Sequence, residues 1–103
     1  MKFGLTTKQI NELKKIFTYH AAISEVIIFG SRALEKYNNS SDIDFAIKGN
    51  INFDLLAKIK HELEETTSLP YFFDVIDYNN LKTQELKTSI DQEGKIFYQR
   101  KKP

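Results

Sequence analysis

The chain has 103 residues, of which 41% are hydrophobic and 13% aromatic. This length and composition allow one small domain with its own core and exclude a second, so we expect a single domain over residues 1–103. Fifteen basic and fourteen acidic residues give a formal net charge of +1, which offers no electrostatic support for direct nucleic-acid binding.

The residue types also limit the compartment and the kinds of metal site. The chain has no cysteine, which excludes disulfides and thiolate metal sites. Its first nine residues lack the apolar region of a secretory signal. No segment approaches the roughly 20 apolar residues that a membrane span needs. We therefore expect a soluble, cytoplasmic protein without a membrane partner.

Hydrophobic periodicity predicts a helix and then a strand in the first third of the chain. Thr6 or Thr7 can cap a helix that runs to about His20. Its apolar residues form a one-sided helical stripe: Ile10, Leu13, Ile16 and Phe17. The β-branched run from Val26 to Phe29 is typical of a strand that is buried on both faces.

A turn and a second strand are expected next. Gly30 ends the first strand, and Ser31 can cap a short helix to about Tyr37. Residues 38–41 form a polar loop, and residues 42–48 alternate as a strand does.

The same signals predict the remaining elements: a helix from Asn52 to about Thr66, a strand over Tyr71–Asp77, a helix from Asn79 or Asn80 to about Gln92 that Gly94 ends, and a short edge strand over Ile96–Tyr98. The stripe of the first of these helices comprises Phe53, Leu56, Ile59 and Leu63, with Lys60 at its edge. The Phe and Tyr residues are expected to form the core, with an exposed subset at a partner interface as the alternative. Residues 99–103 are expected to be solvated.

Two aspartates open the second predicted strand. Side chains alternate along a strand, so Asp42 and Asp44 point to the same side. Neighbouring carboxylates repel unless positive charge lies between them, and a divalent metal with oxygen ligands supplies such charge. The alternative is a solvated strand start, although aspartate is disfavoured within strands.

Asp74 is expected to join this pair. The second and third strands flank a helix and should be parallel, which places their starts at one end of the sheet. Asp74 can then share a metal and accept the proton of an attacking hydroxyl. The alternative is a surface carboxylate on an edge strand. Asp74 also lies between apolar Phe73 and Val75, and a carboxylate buried there would need a polar or charged partner.

The turn at Gly30 and Ser31 reaches the same end if the first strand is antiparallel to the second. Glycine lets backbone N–H groups approach a ligand, and serine adds a hydroxyl beside a helix N-terminus that favours anions. The alternative is an ordinary strand-to-helix turn with a serine cap. Arg32 can reach a phosphate oxygen or form a surface salt bridge. His20 and His61 lack metal-ligand spacing.

The combination of Gly30-Ser31, ten residues, Asp42-x-Asp44 and a lone Asp74 in a later apolar strand resembles the minimal nucleotidyltransferases (MNT) of the DNA polymerase β superfamily. The resemblance implies an α/β (α+β) nucleotidyltransferase fold, a small mixed sheet with helices packed against it. It implies that Gly30 and Ser31 bind the nucleoside triphosphate, and we expect Arg32 and Ser41 to be nucleotide-binding as well. It further implies that Asp42, Asp44 and Asp74 are catalytic and bind magnesium, as two Mg²⁺ ions, with ATP as substrate.

The resemblance also implies a partner. Many members are encoded beside a HEPN-domain protein, and MntA-type antitoxins transfer AMP from ATP to a tyrosine of that toxin. Leu34-Glu35 stand where many members have arginine-glycine, which removes a basic side chain from the bend. Two alternatives stay open: a non-catalytic subunit that binds a nucleotide or a partner, and a transferase for small molecules such as aminoglycosides. A homo-oligomer and a hetero-complex are both compatible with the sequence.

Overall fold

Four strands form a mixed sheet with helices on both faces in the computed structural model, which describes residues 1–101. The helices are α1 (Thr7–Tyr19), α2 (Phe53–Glu65) and α3 (Gln84–Glu93), and the strands are β1 (Ile23–Phe29), β2 (Ile43–Gly49), β3 (Phe73–Asp77) and β4 (Lys95–Gln99). The predicted α/β class with a small mixed sheet is confirmed. None of the helices in the described part of the chain has the length and apolarity to cross a membrane.

The strand order is β3-β2-β1-β4. Strand β1 is antiparallel to both of its neighbours, whereas β2 and β3 are parallel and joined through α2, as predicted. The starts of β2 and β3 therefore lie at the end of the sheet where β1 finishes.

The main core lies between one face of the sheet and the helices α1 and α2. Leu13 and Phe17 of α1 and Ile59 and Leu63 of α2 are fully buried against this face. The ring of Phe17 meets that of Phe45 edge-on at 5.1 Å, a favoured aromatic geometry. The predicted stripes thus place both helices, except that Phe53 of the α2 stripe is 81% exposed, because it lies at the first position of the helix, beyond the sheet.

Helix α3 covers the other face only in part. Ile90 packs there on Ile27 and Ala46, with Ile76 and Leu86 at the margin. Asp42 and Asp74, at the starts of the strands, stay exposed. The uncovered part of this face carries the predicted site.

Local contacts changed two helix predictions. The expected helix from Ser31 to Tyr37 is a single 3₁₀ turn, Gly30–Arg32, since Glu35 has a φ of 58°, which an α-helix does not allow. The last helix begins at Gln84 because the Asp77 side chain accepts the N–H of Asn79 at 3.2 Å and holds a separate 3₁₀ turn.

The predicted first strand is too short, because β1 begins at Ile23. The predicted third strand is too long, because β3 begins at Phe73. The predicted solvated tail also needs correction. The Arg100 guanidinium donates to the carbonyls of Ile23 and His20, both at 2.9 Å, and so ties the segment after β4 to the connection between α1 and β1. Lys102 and Pro103 lie outside the described residues.

Candidate active site

Three carboxylates meet at the uncovered end of the sheet, as the sequence predicted. Asp44 lies opposite Asp74 in the parallel register of β2 and β3, where neighbouring strands are about 4.8 Å apart. Asp42 precedes β2 and is separated from Asp44 by buried Ile43. Asp74 is exposed rather than buried: Phe73 and Val75 point into the core, and strand alternation turns Asp74 outward.

The electrostatic environment of Asp44 is unfavourable for a charge. Burial, then the nearby Asp74 and Asp42 carboxylates, raise the pKa of Asp44 to about 6, and the Arg32 guanidinium only partly opposes this. Each neighbouring carboxylate thus penalises ionisation of the central one. The cluster has more negative charge than its surroundings compensate.

This donor set has the chemistry that a hard divalent cation prefers, namely carboxylate oxygens with uncompensated charge. Within residues 1–101, however, no three His, Cys, Asp or Glu side chains are arranged as a metal centre. The metal-binding roles of Asp42, Asp44 and Asp74 therefore stay predictions.

The glycine of the turn is in contact with the carboxylate cluster. Gly30 has a φ of 74°, which favours glycine, and a Cβ there would collide with the Asp44 carboxylate. Phe29 lies opposite Asp44 in the antiparallel register. Ser31 lies inside the 3₁₀ turn and does not cap it, because the turn already begins at Gly30. The two halves of the sequence motif are thus adjacent in space.

Arg32 does not have either of the positions that the sequence suggested. It is 1% exposed, so it can neither form a surface salt bridge nor present its guanidinium to a phosphate in solvent. Its guanidinium donates to the carbonyls of Phe3 at 2.9 Å and Ser41 at 2.8 Å, and stacks on the ring of Tyr71 at 4.4 Å. Arg32 therefore holds the N-terminal turn and the loop before Asp42 in place.

Ser41 belongs to that same loop. Its hydroxyl accepts the N–H of Asn38 at 2.9 Å, and its carbonyl accepts from Arg32. These contacts shape the approach to Asp42, and nucleotide binding by Ser41 stays a prediction.

Sequence reasoning missed one residue beside the site. Phe72, two positions before Asp74, is 76% exposed and so belongs to the exposed aromatic subset that the sequence analysis left open as an alternative to the core. The alternation of Phe72 with buried Phe73 is the sequence signal that could have separated the two.

Residues 11–103 match the family model of the polymerase beta nucleotidyltransferases. The chain belongs to this family. Among its relatives is the candidate protein adenylyltransferase MJ0604 of Methanocaldococcus jannaschii, 28% identical over 98 residues that cover 86% of this chain and 90% of that protein. The prediction that the chain is a nucleotidyltransferase is confirmed.

Several solved structures share this fold. A toxin–antitoxin crystal structure with AMP-PNP superposes with a TM-score of 0.72 at 18% identity, covering 93% of this chain and 75% of that one. The complex of a tri-AMPylated HEPN toxin of Shewanella oneidensis with its MNT antitoxin gives 0.71 at 16% identity, covering 93% and 74%. A candidate nucleotidyltransferase of Sulfolobus solfataricus gives 0.58 at 21% identity, covering 90% and 79%.

Proposed function

We propose that this nucleotidyltransferase transfers AMP from ATP to a tyrosine hydroxyl of a HEPN-type partner and so acts as its antitoxin. The observation that carries the proposal is the carboxylate cluster beside the Gly30 turn, in which burial, then Asp74 and Asp42, raise the pKa of Asp44. Two similar proteins support a protein as the acceptor. The archaeal relative is named a protein adenylyltransferase, and the similar complex contains an AMPylated toxin.

The residues of the chain have different proposed roles according to their positions. Gly30 and Ser31 hold the triphosphate, because the glycine backbone permits close approach and the serine adds a hydroxyl. Asp74, exposed on the outermost strand of the carboxylate side, accepts the proton of the attacking hydroxyl. Arg32 fixes the loop that carries Asp42 and does not touch substrate.

Asp42, Asp44 and Asp74 would hold two Mg²⁺ ions. Bound magnesium would neutralise the charge of the phosphates and help to orient the attack. Asp44 must be ionised to act as a ligand, so its raised pKa makes cation binding compete with protonation.

A second candidate is a subunit that inhibits its partner by contact alone. It is favoured by the bend after the Gly30 turn, where exposed Leu34 and Glu35 offer no cation to a phosphate. Glu35 adopts the left-handed backbone conformation that glycine takes most easily. The bend is thus retained without the basic side chain.

The experiment incubates the chain with magnesium and the partner encoded by the adjacent gene, in parallel with ATP labelled at the α- or the γ-phosphate. We expect the partner to take label from α-labelled ATP only, and the Asp42→Ala plus Asp44→Ala variant to lose it. Asp54→Ala is the matched control, an exposed aspartate at the opposite end of the sheet in the first turn of α2.

Absence of label with the wild-type chain, or label that persists in the double variant, contradicts the proposal. Neutralisation separates the two candidates. If Asp44→Asn still forms the complex but no longer neutralises the toxin, transfer is required; if it still neutralises, contact is enough.

A further inference from the structure

Phe72 is an apolar side chain left in solvent next to the carboxylate cluster. It is 76% exposed, whereas its neighbour Phe73 is only 3% exposed and lies in the core. Exposing a phenylalanine forgoes the free energy of burying it, and contact with another molecule at this place would recover that free energy.

The backbone fixes where this ring stands. The carbonyl of Phe72 accepts the N–H of Ile43 at 3.0 Å, which holds Phe72 beside the start of β2. Phe73 and Val75 face the core, so Phe72 and Asp74 share the other face. Phe72 is therefore next to Asp74 along the strand and next to Asp42 across the sheet.

The site has two sides, and Phe72 lies on the outer one. Gly30 touches Asp44 from the β1 side, where the phosphates are proposed to bind. Strand β3 is the edge of the sheet, so a macromolecule can approach Asp74 without crossing another strand. Attack in line with the leaving pyrophosphate brings the acceptor in from the side away from it.

We infer that Phe72 is a specificity-determining residue that packs against an apolar or aromatic side chain of the partner protein, close to its acceptor hydroxyl. The inference rests on the proposed transfer of AMP to a protein and adds the surface that selects the acceptor. Partly exposed aromatic residues are well suited to this, since they bury a large area on contact and lose little side-chain freedom.

The chain supplies a matched control. Phe53 is 81% exposed, but it opens α2 after the last residue of β2, at the opposite end of the sheet from the carboxylates. Phe53→Ala therefore removes an equally exposed ring without touching the acceptor side.

The experiment measures steady-state transfer with the full chain, varying the partner protein and ATP separately. We expect Phe72→Ala to raise the KM for the partner about tenfold to a hundredfold, from the lost apolar burial, and to leave the KM for ATP unchanged. Phe72→Trp should restore most of the affinity, and Phe53→Ala should match the wild type. Thermal melting checks that each variant is folded.

Three kinetic results would overturn the inference: an unchanged KM for the partner in Phe72→Ala, an equal rise in Phe53→Ala, or a rise in the KM for ATP alone, which would make Phe72 a nucleobase platform. A photo-crosslinking arm without ATP keeps this test separate from the proposed function. With p-benzoylphenylalanine at position 72, but not at position 53, we expect a crosslink to the partner. A missing crosslink at position 72 overturns the inference, whereas failure of the wild type to transfer AMP overturns only the proposed function.

Discussion

Charged side chains have opposite roles at the two ends of the sheet. At the end where β1 begins, the Arg100 guanidinium donates to backbone carbonyls, and the Lys48 ammonium lies 3.2 Å from a Glu25 carboxylate oxygen. At the other end, the buried Arg32 donates its hydrogen bonds to carbonyls of the loop and the N-terminal turn, and its charge only partly compensates the Asp44 cluster. Charged side chains at the first end hold segments of the chain together, whereas those at the second end are available to bind a ligand.

This contrast separates stability from activity. Removing a charge from the end where β1 begins should weaken the fold and leave the chemistry of a folded molecule intact. Removing one from the carboxylate end should abolish the chemistry and leave the fold equally or more stable. Two substitutions and a pH titration test this contrast, from the largest expected effect to the smallest, and a further substitution tests the strained bend at Glu35.

Asp44→Asn should lower the rate of AMP transfer by about a thousandfold or more, because the amide keeps the shape of the carboxylate but loses the charge that a cation needs. The same change should raise the melting temperature, since it removes a half-buried charge that two carboxylates repel. Labelled ATP and thermal melting measure the two effects. A variant that is both inactive and less stable would argue against the contrast.

Arg100→Met should lower the free energy of unfolding by about 2 kcal/mol, because methionine keeps much of the length but removes the guanidinium that donates to carbonyls of the α1–β1 connection. Urea denaturation measures this, and transfer per folded molecule should be unchanged. Lys101→Met is the control, since Lys101 is exposed. Equal stability of the two variants would show that the Arg100 contacts contribute nothing.

The free energy of unfolding should depend on pH through Asp44. Its pKa is about 6 in the folded chain and near 3.8 when unfolded, so between these values the folded state binds more protons. Stability should therefore fall as pH rises from about 4 to about 6, by about 1 kcal/mol after allowing for the solvent that screens a half-exposed group. Urea titrations across this range, with Asp44→Asn as reference, isolate the effect. Identical pH profiles in the two proteins would refute it.

Glu35→Gly should raise the free energy of unfolding by about 0.5 kcal/mol. The left-handed backbone of Glu35 is strained for a residue with a Cβ, and the relief is partly offset by the greater freedom of glycine in the unfolded chain. Chemical denaturation measures the change. Lys36→Gly, the neighbouring control, should be neutral or destabilising, and a matching gain there would remove left-handed strain as the cause.

Local and topological rules carried most of the fold and the meeting of the carboxylates. Side-chain alternation put Asp42 and Asp44 on one face, and the helix between β2 and β3 required the parallel pairing that sets Asp74 opposite Asp44. These rules act between neighbours in sequence or between whole elements, so they can be read without coordinates.

The rest depended on contacts between residues far apart in sequence. Arg32 is buried because Phe3 and Tyr71 meet around it, and no local pattern announces that meeting. Arg100 is ordered for the same reason, through carbonyls that end α1. Alternation alone indicates only that Phe72 and Phe73 face opposite sides, and the position of Phe72 at the edge of the sheet depends on the strand order.

Because β1 lies inside the sheet, one of its edges waits for a strand that is synthesised much later. One of its edges pairs with β4, and the side-chain bond of Gln99 to Glu25 spans 74 residues. A ribosome that adds 5–20 residues per second needs roughly 4–15 s to cover that separation. During this interval the most apolar strand of the nascent polypeptide has an open edge, and chaperones or a second nascent molecule compete with its own last strand for that edge.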